Sequence, residues 1–352
     1  MTNLQDPPIA HGRSARRSAI AVLSVLAALA TAGCSAQKSD THAGTASCNG
    51  AAELCTRRLD EVVFPGTHNS FAASAEPGWY FANQTYGISR QLQDGIRALL
   101  IDVHYGVHDP ATGRIRTDLG AEGSDANKVA EQVPARALRV ADRVAGGVGL
   151  GTLLGTPEPY LCHTLCELGA EPLGRELEVI RSFLERNPDQ VLVVIVEDYV
   201  PPATIEQAFG QAGLTRYVAT VDRHAPLPTL SELIARGQRL VVFAEAKGGT
   251  PAWYMPAFSF IQDTPLGALQ PGQLSCTRYR GEGTSPLLLI NHWIPPFPPS
   301  PTVNSQIGRS TFLRGRIERC TRERGIRGAI VAVDFYERTS VVELAKQLNG
   351  GG

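Results

Sequence analysis

The sequence predicts an α/β chain folded as a single distorted or incomplete (β/α)8 barrel of the TIM type. Short apolar, β-branched runs recur from residue 60 onward, helical patterns lie between several of them, and most runs end in polar residues that can do chemistry. Near-continuous Val/Ile/Leu runs mark strands buried on both faces, as in parallel sheets covered by helices. The runs are 61–65, 96–103, 159–162, 191–196, 240–244, 287–290 and 329–333. Residues 173–187 place Leu177, Ile180, Phe183 and Leu184 at three- and four-residue steps and end at Asn187-Pro188, a helix with its stop signal. Thr229-Leu230-Ser231-Glu232 reads as a capped helix start. The stretch 105–158 is Gly-rich and poorly periodic, and is expected to place loops and a helix (127–144) above the barrel.

The chain has 352 residues, 43% hydrophobic and 19% charged, with a formal net charge of −1. Beyond the N-terminus no Lys/Arg block stands out, which argues against a nucleic-acid partner, since phosphate-backbone binding calls for a basic face. The first residues read as an address. Arg13, Arg16 and Arg17 precede an apolar run from Ala19 to Ala30, then Thr31-Ala32-Gly33-Cys34. That is the layout of an export signal, and the run falls short of the ~20 residues that span a bilayer. Small residues before Cys34 resemble a lipoprotein signal, in which Cys34 is acylated; an ordinary secretory signal cleaved near Ala32 is the alternative. The expected organisation is a signal peptide at 1–33, a lipidated tether at 34–57 and a barrel domain at 58–346. The product would be an exported, monomeric protein, either a cell-envelope lipoprotein or secreted.

Six cysteines remain after Cys34, and an even number in an oxidising compartment points to disulfides. Six allow 15 pairings. Proximity favours Cys48–Cys55 and Cys162–Cys166, leaving Cys276 with Cys320. A zinc site would need four ligands at tighter spacing.

The strand ends carry the functional signal. The first run leads into Gly66-Thr67-His68-Asn69-Ser70, the second into Asp102-Val103-His104, and the third into His163. The later ones lead into Glu197-Asp198-Tyr199, Glu245 with Lys247, Asn291-His292-Trp293 and Asp334-Phe335-Tyr336. In (β/α) barrels the C-terminal strand ends converge on one site. Two histidines and several carboxylates meeting there make an acid–base or metal constellation.

The segments Val63–Ser70 and Gln91–Asp102 resemble the opening of the phospholipase C catalytic X domain. Leu161-Cys162-His163, Asn187-Pro188, Val196–Tyr199 and Val333–Tyr336 resemble secreted bacterial X-domain-like proteins of the phosphatidylinositol-specific phospholipase C superfamily. The resemblance covers about residues 58–340 and implies a distorted (β/α) barrel that cleaves a phosphodiester. It implies His68 as base and His163 as acid, a task suited to imidazole because its pKa lies near neutrality. It also implies calcium held by Asn69, Asp102 and Glu197, with Leu100 standing where the calcium-dependent members have a glutamate. Oxygen ligands of this kind suit that ion, water completing its shell.

Asp334 is expected to hold His68 in its working tautomer, helix capping being the alternative. Lys247 and His104 are candidate substrate contacts, although one exposed lysine is usually just solvated. Arg97 reads as a structural ion-pair partner. Trp253, Tyr254, Trp293 and the 295–301 segment are expected to form an apolar rim. The expected partner is a membrane phospholipid or a soluble phosphodiester, with the membrane reached through the lipid anchor. Rival functions are a glycerophosphodiesterase or sphingomyelinase D-like enzyme, which Leu100 disfavours, and a non-catalytic lipid- or glycan-binding barrel.

Overall fold

The computed structural model describes residues 47–118, 133–146, 155–246, 248–296 and 298–350. The expected signal peptide, Cys34, Lys247 and the first part of the expected helix at 127–144 lie outside them. The strands in chain order are β1 (Phe64–Thr67), β2 (Ala98–Asp109), β3 (Arg114–Thr117), β4 (Glu158–Leu161), β5 (Glu171–Pro172), β6 (Leu192–Asp198), β7 (Leu240–Ala244), β8 (Tyr254–Pro256), β9 (Ile261–Asp263), β10 (Leu287–His292) and β11 (Gly328–Val333). The helices are α1 (Ile88–Gln93), α2 (Ala135–Val144), α3 (Leu173–Arg186), α4 (Pro202–Gln211), α5 (Leu230–Ala235), α6 (Ala257–Phe260), α7 (Pro301–Ile307), α8 (Ser310–Arg324) and α9 (Val341–Leu348).

Eight strands lie side by side in the order β8-β7-β6-β2-β1-β11-β10-β9, and every pairing along that path is parallel. This is the order of a barrel cut between β8 and β9, so the expected incomplete barrel is an open one. A loop occupies the cut edge: the Asp263 N–H donates to Arg280 O at 3.2 Å and the Tyr279 N–H to Asp263 O at 3.0 Å. The Arg280 guanidinium also reaches from Glu245, after β7, at 2.6 Å to Asp263 of β9 at 2.7 Å.

Alternation along the strands separates two cores. Leu99, Ile101 and Val103 of β2 pack with α3 residues such as Leu177 and Ile180. Ala98 and Leu100 join Phe64, Val193, Ile195, Val241, Phe243, Leu289 and Ala332 in the second cluster, contributed by strands around the ring. Each such buried Val, Leu, Ile or Phe contributes about 1.5–3 kcal/mol over an exposed position. Where the interior rows run past the C-terminal ends they read Phe64-Gly66-His68, Leu100-Asp102-His104, Ile195-Glu197-Tyr199 and Ala332-Asp334. The polar residues therefore continue the same face that fills the barrel. At Gly66 a Cβ would sit 3.1 Å from that of Ala98 and 3.4 Å from Val331 O, so glycine permits the close approach of strands just before His68.

Five expectations are corrected. The run at 159–162 is not a barrel strand: β2 continues beyond the barrel and β4 pairs with it antiparallel, Val103 opposite Leu161. Parallel strands β8 and β9 went unrecognised because three residues each, ending in Pro256 and Asp263, fall below the length at which an apolar run shows. The first strand starts at Phe64, with Leu59–Glu61 forming a 3-10 turn before it. Residues 47–57 belong to the domain rather than to a tether: Cys48 and Leu54 are buried in the interior cluster, and Asn49 exchanges two hydrogen bonds with the Val191 backbone. Arg97 donates to Gln190, Leu92 O and Ile96 O instead of forming a close ion pair, and burial lowers its pKa to about 10.

The helices at 173–186 and 230–235 form as expected, the latter with a Thr229/Glu232 capping box. All three disulfides join the expected partners.

Candidate active site

His68 follows β1 directly and Asp334 follows β11, its neighbour in the sheet. The His68 Nδ1 lies 2.8 Å from Asp334 Oδ1. A buried carboxylate only accepts, so Nδ1 carries the proton and Nε2 is left with its lone pair. Asp334 is fully buried and its other oxygen accepts from Asn83 Nδ2 at 3.1 Å. The Trp293 indole stacks on His68 with ring centroids 3.9 Å apart and planes at 5°. Gln84 closes the back, donating to His68 O at 2.7 Å and Val333 O at 3.0 Å.

His163 stands opposite, its ring centroid 6.4 Å from that of His68. Its Nδ1 lies 2.8 Å from Asp102 Oδ2 and 3.2 Å from Asn69 Nδ2. Asn69 also donates to Asn83 at 3.1 Å, so one asparagine pair ties both sides together. Each histidine thus sets Nδ1 against a carboxylate. The surrounding protein works against a charged His163, but the Asp102 hydrogen bond and the charges of Asp102, Glu197 and Asp334 outweigh it and raise the pKa. The ring keeps 59% of its side-chain surface open to solvent, which weakens the opposing effect of burial and favours the same direction.

Glu197 faces Asp102 across the β2–β6 ladder. Burial, then Asp102, raise its pKa, while the Tyr199 hydroxyl donates to it. His104 is buried and stacks on Tyr199 with centroids 4.1 Å apart. Burial pushes its pKa down to about 4, and its Nε2 has no hydrogen-bond partner among the described residues. It does not line the cleft cavity, although its stacking partner Tyr199 does. His292 is likewise structural, between Ile307 O and Arg316.

The residue after each of three site groups has a left-handed backbone: Asn69 (φ 44°), Thr164 (φ 64°) and Phe335 (φ 49°). The chain turns away as soon as His68, His163 and Asp334 have been presented. For β-branched Thr164 this conformation is strained, a state that persists only where the surroundings enforce it.

Both histidines line a cavity of about 330 Å³, together with Glu197, Tyr199 and the apolar Trp79, Phe81, Leu165, Leu168, Pro295 and Pro299. A larger cavity of about 570 Å³, lined by Val63, Pro65, Arg97 and Gln190, lies at the opposite ends of the strands and holds none of these groups. Trp253 and Tyr254 pack in the core beside Phe209 and Trp293 is buried against His68, so of the expected rim only Pro295, Pro296 and Pro299 line the cavity among the described residues. Asn83, Gln84, Trp79 and Phe81 were not anticipated. They sit in the loop between β1 and α1, whose only signal was its place after the first barrel strand.

The trio expected to hold calcium surrounds His163, each member already engaged within the protein: Asn69 with Asn83, Asp102 with His163, Glu197 with Tyr199. Among the described residues no group of three or more His, Cys, Asp or Glu is disposed to ligate a metal. Two adjacent carboxylates and an amide fit an open, water-rich calcium site, not a closed cage.

The family model described as PI-PLC X 1 matches residues 156–349, more than half of the chain. The chain belongs to the PI-PLC X family. Its relatives include "PI-PLC X domain-containing protein 1" of Arthroderma benhamiae, 23% identical over 325 residues, covering 86% of this chain and 89% of that one. An "Uncharacterized secreted protein" of the same fungus is 27% identical over 231 residues, covering 63% and 41%. A PI-PLC X domain-containing protein of Arabidopsis thaliana is 24% identical over 315 residues, covering 81% and 61%. Among solved structures, a mutant phosphatidylinositol-specific phospholipase C of Staphylococcus aureus matches 82% of this chain and 93% of its own at 13% identity, with a TM-score of 0.45. No helix among the described residues is long and apolar enough to cross a membrane.

Proposed function

We propose that this PI-PLC X family member is an exported phosphodiesterase that cleaves a phospholipid of the phosphatidylinositol type at a membrane surface. One observation carries the reading: two imidazoles, 6.4 Å apart over one cleft, each with Nδ1 on a carboxylate. A hydroxyl of the head group attacks phosphorus and gives its proton to Nε2 of His68. The bond from phosphorus to the glycerol oxygen breaks, and Nε2 of His163 protonates that oxygen. The upward shift at His163 supports this direction, because an acid must start protonated. The apolar cavity wall would accommodate the lipid side of the substrate. Calcium would be held by Asn69, Asp102 and Glu197 and would supply positive charge beside the phosphodiester. Three disulfides agree with export; anchoring through Cys34 belongs to the same proposal.

The test is an assay panel of phosphatidylinositol, sphingomyelin, lysophospholipids and glycerophosphodiesters, with calcium and with chelator. Cyclic inositol phosphate from the wild type and none from His68→Ala or His163→Ala is the expected result. Activity confined to sphingomyelin or glycerophosphodiesters would move the chain to the rival class. No turnover of any of them would favour a binding barrel.

A further inference from the structure

Of the two candidate histidines, His163 does not come from the end of a barrel strand. It stands on a loop beyond β4 with its ring largely in solvent, yet Nδ1 is directed at Asp102 at 2.8 Å. An exposed side chain has rotamer freedom to lose, so something must fix the backbone that carries it. Cys162 and Cys166, both buried, flank the histidine and are joined by a disulfide. Inside that ring the Leu165 N–H donates to His163 O at 2.7 Å and Thr164 takes its left-handed conformation. The ring is fastened to β3: the Cys166 N–H donates to Thr117 Oγ1 at 2.8 Å, and the buried Glu167 carboxylate accepts from Thr117 N at 3.0 Å and Oγ1 at 2.8 Å.

Global stability does not explain this bridge well. Closing a loop constrains the unfolded chain more as the loop lengthens. The partners here are 4 apart in sequence, against 7 and 44 for the other two bridges. Its effect is therefore chiefly local, on the three residues it brackets, His163, Thr164 and Leu165.

We propose that the Cys162–Cys166 disulfide is the positioning element of the second histidine, closing the loop so that His163 can only present Nδ1 to Asp102 and Nε2 to the cleft. The functional side of this rests on His163 being the acid; the geometric side does not. A carboxylate at Nδ1 fixes the Nδ1–H tautomer, whereas a histidine side chain free in water favours Nε2–H.

The experiment compares wild type, Cys162→Ala/Cys166→Ala and the control Cys48→Ala/Cys55→Ala. Ring 15N shifts, read through the carbon-bound protons at a pH where the rings are neutral, report the tautomer of each histidine. In the wild type His68 and His163 are both expected as Nδ1–H. Without the Cys162–Cys166 bridge His163 moves toward the Nε2–H form while His68 does not, and kcat falls about 10- to 100-fold with KM within about twofold. The control matches wild type in both readouts. An unchanged His163 tautomer in the folded variant overturns the proposal. A changed tautomer with unchanged kcat upholds the positioning and removes the acid role from His163. Should the double variant fail to fold, a glycine inserted between Thr164 and Leu165 widens the ring with the bridge intact. The same shift is expected there, and wild-type tautomer and rate in that variant overturn the proposal.

Discussion

The two histidine–carboxylate pairs are alike in contact distance and opposite in construction. His68 and Asp334 leave adjacent parallel strands, and Asp334, Asn83 and Trp293 enclose them in the barrel mouth. His163 arrives from an antiparallel extension outside the ring, and only its partner Asp102 belongs to the barrel. One pair is thus part of the core, and the other is half core and half insertion. Damage to the first should spread into the fold, while damage to the second should stay in the chemistry.

The largest effect tests the symmetry of the two. His68→Ala and His163→Ala should each lower kcat by about two to four orders of magnitude, the range for loss of a general base or acid. Steady-state kinetics on the substrate found in the panel checks this, and a gap of more than about a hundredfold between the two would break the equivalence.

The carboxylates should then separate the pairs. Asp334→Ala leaves His68 Nδ1 and Asn83 without their buried acceptor, costing about 1–3 kcal/mol for each group left unsatisfied, in addition to the lost rate. Asp102→Ala faces an exposed ring that water can satisfy, so its rate loss should come with less destabilisation. Urea denaturation of both variants decides the matter. Equal midpoints would mean that burial of Asp334 has no energetic consequence.

A smaller effect concerns the buried imidazole that takes no part in either pair. His292 is pushed down to about 3 by burial and then by Arg316, whereas an unfolded chain protonates near 6.5. Between those values the unfolded state binds the extra proton, so this contribution to stability is complete above pH 6.5 and is lost as pH falls toward 3. The loss is about 2 kcal/mol by pH 5. Glu176 and Glu245, both raised to about 7 by burial, act in the opposite sense, so the contribution of His292 is read as a difference between variants. His292→Gln should remove it, giving a flatter fall in stability between pH 7 and pH 5, and NMR should show His292 neutral at pH 5.

The smallest effect is the cation. Chelation is expected to lower the rate several-fold and calcium to restore it, with Glu197→Gln raising the calcium requirement. Rates equal in excess chelator and in millimolar calcium would assign Asp102 solely to His163.

Much of this was legible in the residues because the ring strands are apolar on both faces and the groups ending them are polar. A run such as Leu192–Val196 followed by Glu197 reports both a strand and a strand end. The three-residue strands β8 and β9 were illegible because alternation needs length to show. The run at 159–162 misled because an apolar strand looks the same whether it closes a barrel or extends a neighbour. His68, His163, Asp102 and Asp334 could be found because each follows or ends such a run. Asn83 and Gln84 could not, since they work from an aperiodic loop, and the stacking of Trp293 on His68 depends on a path through β10 that spacing alone does not give.

The open edge between β8 and β9 has a mechanical consequence. A fully hydrogen-bonded ring has its radius set by strand number and shear, and cannot widen without breaking a ladder. Here α6 and the Arg280 contacts to Glu245 and Asp263 span the cut instead, and side-chain contacts can stretch where a ladder cannot. The circumference of this barrel is therefore elastic at one place, on the side away from β1 and β2. The mouth is expected to be more compliant there than along the wall that carries His68 and Asp102. Amide exchange that is fast in β8 and β9 and slow in β1, β2 and β11 would be the imprint of that compliance.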